Sequence, residues 1–227
     1  MRQNPGGRKL KKRLEELLLQ EPWEENNTEL SQYPAKQSIN ALISFFCSLN
    51  PLLKWRAVSA TGSVVSALSK ISIEDARIIM RRLMWMLNEE SGGIGWGVPE
   101  AMGEIMAQSR ILAGEYNRII LSYLDESGNF IEHEPLQTGV LWALDRLAET
   151  WPDLLSQAPD LTRPYLNASD PEKRGLACLI AGHLHDKISR VRLEQLRHDD
   201  ALISIYSHGY IREYHVGNLA EKALSHD

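Results

Sequence analysis

Cysteine, long apolar runs and surplus positive charge are all scarce in this chain, and each scarcity removes a class of protein. Only two of the 227 residues are cysteine, Cys47 and Cys178, set in the apolar stretches Ser-Phe-Phe-Cys-Ser-Leu and Leu-Ala-Cys-Leu-Ile-Ala. Two isolated thiols build no disulfide framework and supply no zinc spacing, so both read as buried free side chains of a reducing cytoplasm. No run of about 18 apolar residues occurs, which argues against a membrane span. Arg8, Lys9, Lys11, Lys12 and Arg13 resemble the start of a secretory signal, but Glu15 and Glu16 interrupt the apolar stretch that should follow. A cytoplasmic location is the expectation.

The formal net charge is -5, and it is unevenly spread. Residues 1–113 hold 14 Lys and Arg against 12 Asp and Glu, a balance of +2, whereas residues 114–227 hold 11 against 18, a balance of -7. A general nucleic-acid binder needs the opposite excess, so a nucleic-acid partner is not expected. With 43% hydrophobic and 24% charged residues, the chain has the make-up of a globular protein with a sizeable core.

What the chain does contain is a spaced set of small residues. Lys54, Ala57 and Gly62 lie at offsets 0, +3 and +8, and Arg174, Ala177 and Gly182 repeat them. Gly95, Val98 and Gly103 fit the same frame, and Leu136, Gly139 and Leu144 fit it more loosely. The step from Gly62 to Gly103 is 41 residues, from Gly103 to Leu144 again 41, and from Leu144 to Gly182 it is 38. A period near 40 with small residues on one helix face marks stacked helix pairs, in which small side chains let the next helix approach.

Elements can be placed around that frame. Leu10, Leu14, Leu17 and Leu18 give residues 8–20 one apolar helix face, which reads as a docking or capping helix. A short helix fits near Thr28–Tyr33, and a longer one runs from Ala35 to Leu49 with Ile39, Leu42, Ile43 and Phe46 inward. Second helices follow the repeat motifs at Ile73–Asn88, with Ser72 as cap, and at Glu115–Glu126. Prolines 152, 159 and 164 break the third copy into short turns. Asp170-Pro171 caps the next helix, Arg190–Arg197 and Ala201–Ser207 read as helical, Gly209 as a breaker and Val216–Leu224 as a closing helix. One helical-repeat domain over 1–227 results: an extension and capping helix over 1–34, repeats over 35–210, and a terminal helix over 211–227. The fold class is all-α, a right-handed α-α superhelix or solenoid of stacked hairpins.

Arg174-Gly-Leu-Ala-Cys-Leu-Ile-Ala-Gly182 and Lys54-Trp-Arg-Ala-Val-Ser-Ala-Thr-Gly62 resemble the motifs of HEAT-like, armadillo-related repeat proteins, including the bacterial set with phycobilisome-lyase-type repeats. The likeness spans residues 35–210. The stretch from Asn88 to Met106 is similar to that of a bacterial group of such proteins. The resemblance implies architecture rather than chemistry.

Around that stretch lie the candidate binding residues. Gly92, Gly93, Gly95 and Gly97 turn the chain, and Pro99 opens a helix. No strand precedes the glycines and no Lys-Ser/Thr follows them, so this is not a phosphate loop. On Ile73–Asn88 the residues Arg77, Arg81, Trp85 and Asn88 share the face opposite the core. Arginine stacks on indole, and both are enriched at binding hot spots, although an indole at position 85 packed on a neighbouring helix is an equal reading. Trp96, between two glycines, either packs or stands free. Glu89, Glu100 and Glu104 complete the proposed partner surface.

No catalytic residue, metal site or cofactor is assigned. His183 and His185 fall on different helix faces, His133-Glu134 is a single His-Glu pair, and no nucleophile motif occurs. The expected role is a non-enzymatic scaffold or interaction module for another protein or peptide. The alternative is a nucleic-acid-acting enzyme such as a HEAT-like alkylpurine DNA glycosylase, opposed by the charge balance. A cofactor maturation factor or lyase is a third reading, by fold analogy only.

Overall fold

The computed structural model describes residues 7–88 and 95–225, and within them twelve α-helices and one β-hairpin follow in order. Residues 1–6, and Gly92 and Gly93 of the glycine turn, lie outside the described residues. The described residues fall into two compact units. One runs to Ser109 and takes in His208–Tyr210; the other comprises Arg110–Ser207 and the chain from Ile211.

The first unit holds α1 (Gly7–Leu19), α2 (Trp23–Ser31), α3 (Ala35–Ser44), α4 (Pro51–Ser69), α5 (Ile73–Asn88) and α6 (Val98–Gln108). Leu10, Leu14, Leu17 and Leu18 are buried, and α1 docks on α2, α3 and α4. Asn50 starts α4, its side-chain oxygen accepting from the N–H groups of Leu52 at 3.0 Å and Leu53 at 3.3 Å. Ser72 Oγ accepts from Asp75 N at 3.3 Å before α5. Gly97, at φ 70°, makes the left-handed entry to α6 that a side chain would resist. The α4 and α6 helices stack where Gly62 leaves room: a Cβ there would lie 2.6 Å from Glu104 Cγ.

Arg56 organises the ends of this unit. It is 0% exposed. Its Nε donates to Gly209 O at 3.0 Å, Nη1 donates to Leu18 O at 3.1 Å and Gln20 O at 3.3 Å, and Nη2 donates to Glu21. The guanidinium lies 5.0 Å from the Trp23 ring centre and 5.6 Å from that of Tyr210. A buried guanidinium left without acceptors would cost several kcal/mol, so its hydrogen bonds fix the α1–α2 turn and the 209–210 backbone together.

The second unit holds α7 (Arg110–Ser122), α8 (Glu134–Thr150), α9 (Ala158–Thr162), α10 (Pro171–His183), α11 (Arg190–Leu196), the strand β1 (Leu202–Ser207), the strand β2 (Tyr210–His215) from its second residue, and α12 (Val216–Leu224). Two 3-10 turns, Pro152–Leu154 and Arg163–Asn167, flank α9, as the prolines require. Asp170 caps α10, accepting from Glu172 N at 2.9 Å. The α10 helix packs on α8 and on α12. At Gly182 a Cβ would sit 2.8 Å from Ala223 Cα, so the backbones themselves meet there. The step from Gly182 to Ala223 is again 41 residues, which gives α12 the position of a further first helix.

Several expectations are corrected. Ala201–Ser207 is not helical: Leu202–Ser207 pairs with Tyr210–His215, and strand also takes the first residues of the expected terminal segment 211–227. His208 and Gly209 take φ 50° and 88°, the pair of positive angles that a two-residue hairpin turn of the primed type demands. The α3 helix stops at Ser44 rather than Leu49. Tight turns over Phe45 and Phe46 then bury both rings and leave Cys47 exposed, not buried. Cys178 is buried, and burial pushes its thiol up to about 12. The second helix of the second copy starts at Arg110 rather than Glu115, because the single extended residue Ser109 joins it to α6.

The glycines give opposite stability tests. Gly182→Ala should cost about 1–3 kcal/mol by forcing α10 and α12 apart. Gly114, exposed inside α7 with no atom near its missing Cβ, should gain about 0.5–1 kcal/mol as Ala. Urea unfolding of the two variants checks both signs.

Candidate functional site

The face of α5 opposite its buried Ala76, Ile79, Met80 and Leu83 carries the sequence candidates. Trp85 is 70% exposed, with the exposed Ile78 two turns before it on the same face. Arg81 donates to Glu74 at 2.6 Å and Arg77 lies 3.5 Å from the same carboxylate. These two guanidinium groups, Arg81 first, hold the Glu74 carboxyl below its ordinary range. Arg82 is tied to Asn40 of α3. Asn88 is exposed at the end of the stripe. The result is a pre-set row of cations beside one large open aromatic.

The other candidates lie elsewhere. Trp96 is half-buried in the turn before α6, and Glu89 lies outside the described residues. Glu100 and Glu104 do not reach the surface: they are 5% and 6% exposed. Glu100 accepts from Lys54 Nζ at 3.2 Å, and Glu104 accepts from Gln108 at 2.7 Å. The reason is that α6 is buried on every side from Val98 to Ala107, leaving no solvent face for its acids.

The second unit contains a cleft that sequence reasoning missed. It has a volume of about 270 Å³ between α8, α10, the hairpin and α12. Asp145 Oδ1 of α8 and His183 Nδ1 of α10 lie 3.1 Å apart inside it, close enough to form an ion pair when the imidazole is protonated although the contact does not have hydrogen-bond geometry. The adjacent Asp145 carboxylate raises the imidazole above its ordinary 6.5, against the opposing effect of burial. Asp145 and His183 are 38 residues apart, the same step as Leu144 to Gly182, so they occupy one position in successive copies. Carrying the repeat frame across the chain would have found the pair, whereas comparing His183 with its neighbour His185 could not. His185 instead ends α10 in a left-handed conformation, at φ 51°.

Glu134 of the His133-Glu134 pair has a structural partner. Lys173, 4% exposed, donates to Glu134 at 3.2 Å and to Gln137 at 2.9 Å. Among the described residues no three His, Cys, Asp or Glu side chains gather as a metal site, and no helix is long and apolar enough to cross a membrane.

No family model and no curated protein matches the sequence. Solved structures do match the fold. An engineered protein aligns over 96% of this chain and 96% of its own, with a TM-score of 0.54 and 15% identity. A designed armadillo repeat protein in complex with the peptide (KR)4 aligns over 94% of this chain and 98% of its own, with a TM-score of 0.53 and 15% identity. A computationally designed armadillo repeat protein for modular peptide recognition gives 0.51 and 14% over 94% and 98%. These likenesses show the fold alone: a solenoid of α-helices like that of armadillo repeat structures, here with a hairpin among the described residues.

The His183 pair gives a pH test. A raised imidazole contributes stability that is fully present below 6.5 and is lost as pH rises through the higher folded value. Asp145→Asn should therefore lower stability most below 6.5, with the gap to the natural protein closing as pH rises. Urea midpoints across that range check the trend, and a gap that widened with pH would contradict it.

Proposed function

We propose that the protein is a non-enzymatic interaction module whose α5 face receives a segment of another protein rich in acidic and apolar side chains. The observation that carries this reading is Trp85, 70% exposed on a helix whose opposite face is buried, in line with Arg77 and Arg81. A solvated indole of that size gains by being covered, and the neighbouring arginines, already oriented by Glu74, suit carboxylates. The likeness to designed armadillo proteins supports segment binding as a use of the fold. The (KR)4 peptide bound by one of them is basic. A row of arginines disfavours such a peptide here and favours the opposite charge.

We further read the chain as a HEAT-like repeat protein of the phycobilisome-lyase-type set, working in a bacterial cytoplasm. The period near 40 and the lone buried thiol of Cys178 support that placement. One domain acting as a single scaffold is part of the same proposal, as is membership of Asn88 and Trp96 in the contact surface.

Fluorescence anisotropy with labelled peptides tests the site. Peptides alternating Glu with Leu or Phe should bind, and matched Lys peptides should not. Trp85→Ala and Arg81→Ala should each weaken binding about tenfold, near 1.4 kcal/mol, without lowering the melting temperature. Binding that ignores peptide charge, or that survives both substitutions, would reject the α5 face.

A further inference from the structure

The cleft between α8, α10, the hairpin and α12 is built like a ligand site in miniature. At about 270 Å³ it lies just below the range of small-molecule pockets, about 300–1,000 Å³. Leu179, Ile205, Tyr206 and Leu219 give it an apolar wall. Asn218 and the half-buried Tyr214 add polar groups at the rim.

Its charges are unbalanced. From α8 come Asp145, Arg146 and Glu149; from α10, His183; from β1 and β2, the phenols of Tyr206 and Tyr214; from α12, Lys222. Asp145 pairs with His183 at 3.1 Å, and Glu149 pairs with Arg146. Both carboxylates are thus already engaged. Lys222, exposed at the rim, pairs with no carboxylate among the described residues, and its charge is felt at the imidazole. With His183 protonated, three cations face two anions, so the cleft has room for one more negative charge.

We propose that this cleft binds the carboxylate end of a small apolar ligand, either a free short-chain acid or the C-terminal residue of a peptide. The carboxylate lies against Lys222 and His183, and the hydrocarbon part covers Leu179, Ile205 and Leu219. Charge-assisted hydrogen bonds fix the orientation, and the apolar wall sets the size accepted. The Asp145 carboxylate beside it keeps the imidazole charged to higher pH than usual, so binding weakens as pH rises through the titration of His183. The cleft uses residues of the second unit alone, and its failure would leave the α5 reading untouched.

Amide chemical shifts of the full chain, titrated with N-acetyl-leucine and with its uncharged amide, test the proposal. The acid should saturate with shifts at β1, the end of α10 and α12, and the amide should bind at least about tenfold more weakly. Lys222→Ala, at an exposed position, should weaken the acid several-fold and leave the urea midpoint unchanged. A pentapeptide ending in leucine, with free or amidated C-terminus, separates the two sources: tighter binding of the free-ended peptide assigns the cleft to chain ends, and tighter binding of N-acetyl-leucine assigns it to small acids. No saturable shift with either acid, equal binding of acid and amide, or indifference to Lys222→Ala would each overturn it.

Discussion

Close helix approach at two glycines is the constraint on which the rest depends. At Gly62 and Gly182 the absent side chain is the space that the neighbouring helix occupies, Glu104 Cγ in one case and Ala223 Cα in the other. Close packing of this kind leaves little slack: an added methyl group must displace the Glu104 side chain at Gly62 and main chain at Gly182. The register between α4 and α6, and between α10 and α12, is therefore specified by steric exclusion. The hydrophobic residues around these points supply the driving force, but alone they would tolerate sliding.

Polar side chains within the stacks add a second layer of specification. Lys54 reaches Glu100 from α4 to α6, Lys173 reaches Glu134 and Gln137 from α10 to α8, and His183 reaches Asp145 between the same two helices. A buried charge without its partner costs several kcal/mol, so only the correct register is tolerated. Because these links occupy the first helices, the acids of α6 are spent inside the fold. The outward charge and aromatic surface falls instead to a second helix, α5, whose core face is confined to four buried positions.

Much of the architecture was legible because it rests on local chemistry. The bounds of Ile73–Asn88 and Val216–Leu224 follow from their apolar spacing, and Ser72 and Asp170 announce helix starts by the groups that cap them. The hairpin was missed although its signal was present. Leu-Ile-Ser-Ile-Tyr-Ser and Tyr-Ile-Arg-Glu-Tyr-His are rich in β-branched and aromatic residues on either side of His208-Gly209. Expecting another repeat helix hid it. Glu100 and Glu104 were misplaced because i, i+4 spacing reports only that two acids share a face. The surrounding Val, Ala, Met, Gly and Ile left that face nowhere to meet water. The Asp145–His183 pair joins residues far apart in sequence, and only the repeat frame links them.

The most direct test of the stacking is the distance across the two glycines in solution. Nuclear Overhauser effects in isotope-labelled protein should connect the Gly182 α-protons with the Ala223 methyl, and the Gly62 α-protons with the Glu104 side chain, at the intensity of protons in van der Waals contact. Finding both sets of cross-peaks is the result this account requires. Their absence, in a folded protein whose other core contacts are seen, would mean that the helices are held apart and that the small residues do not set the stack.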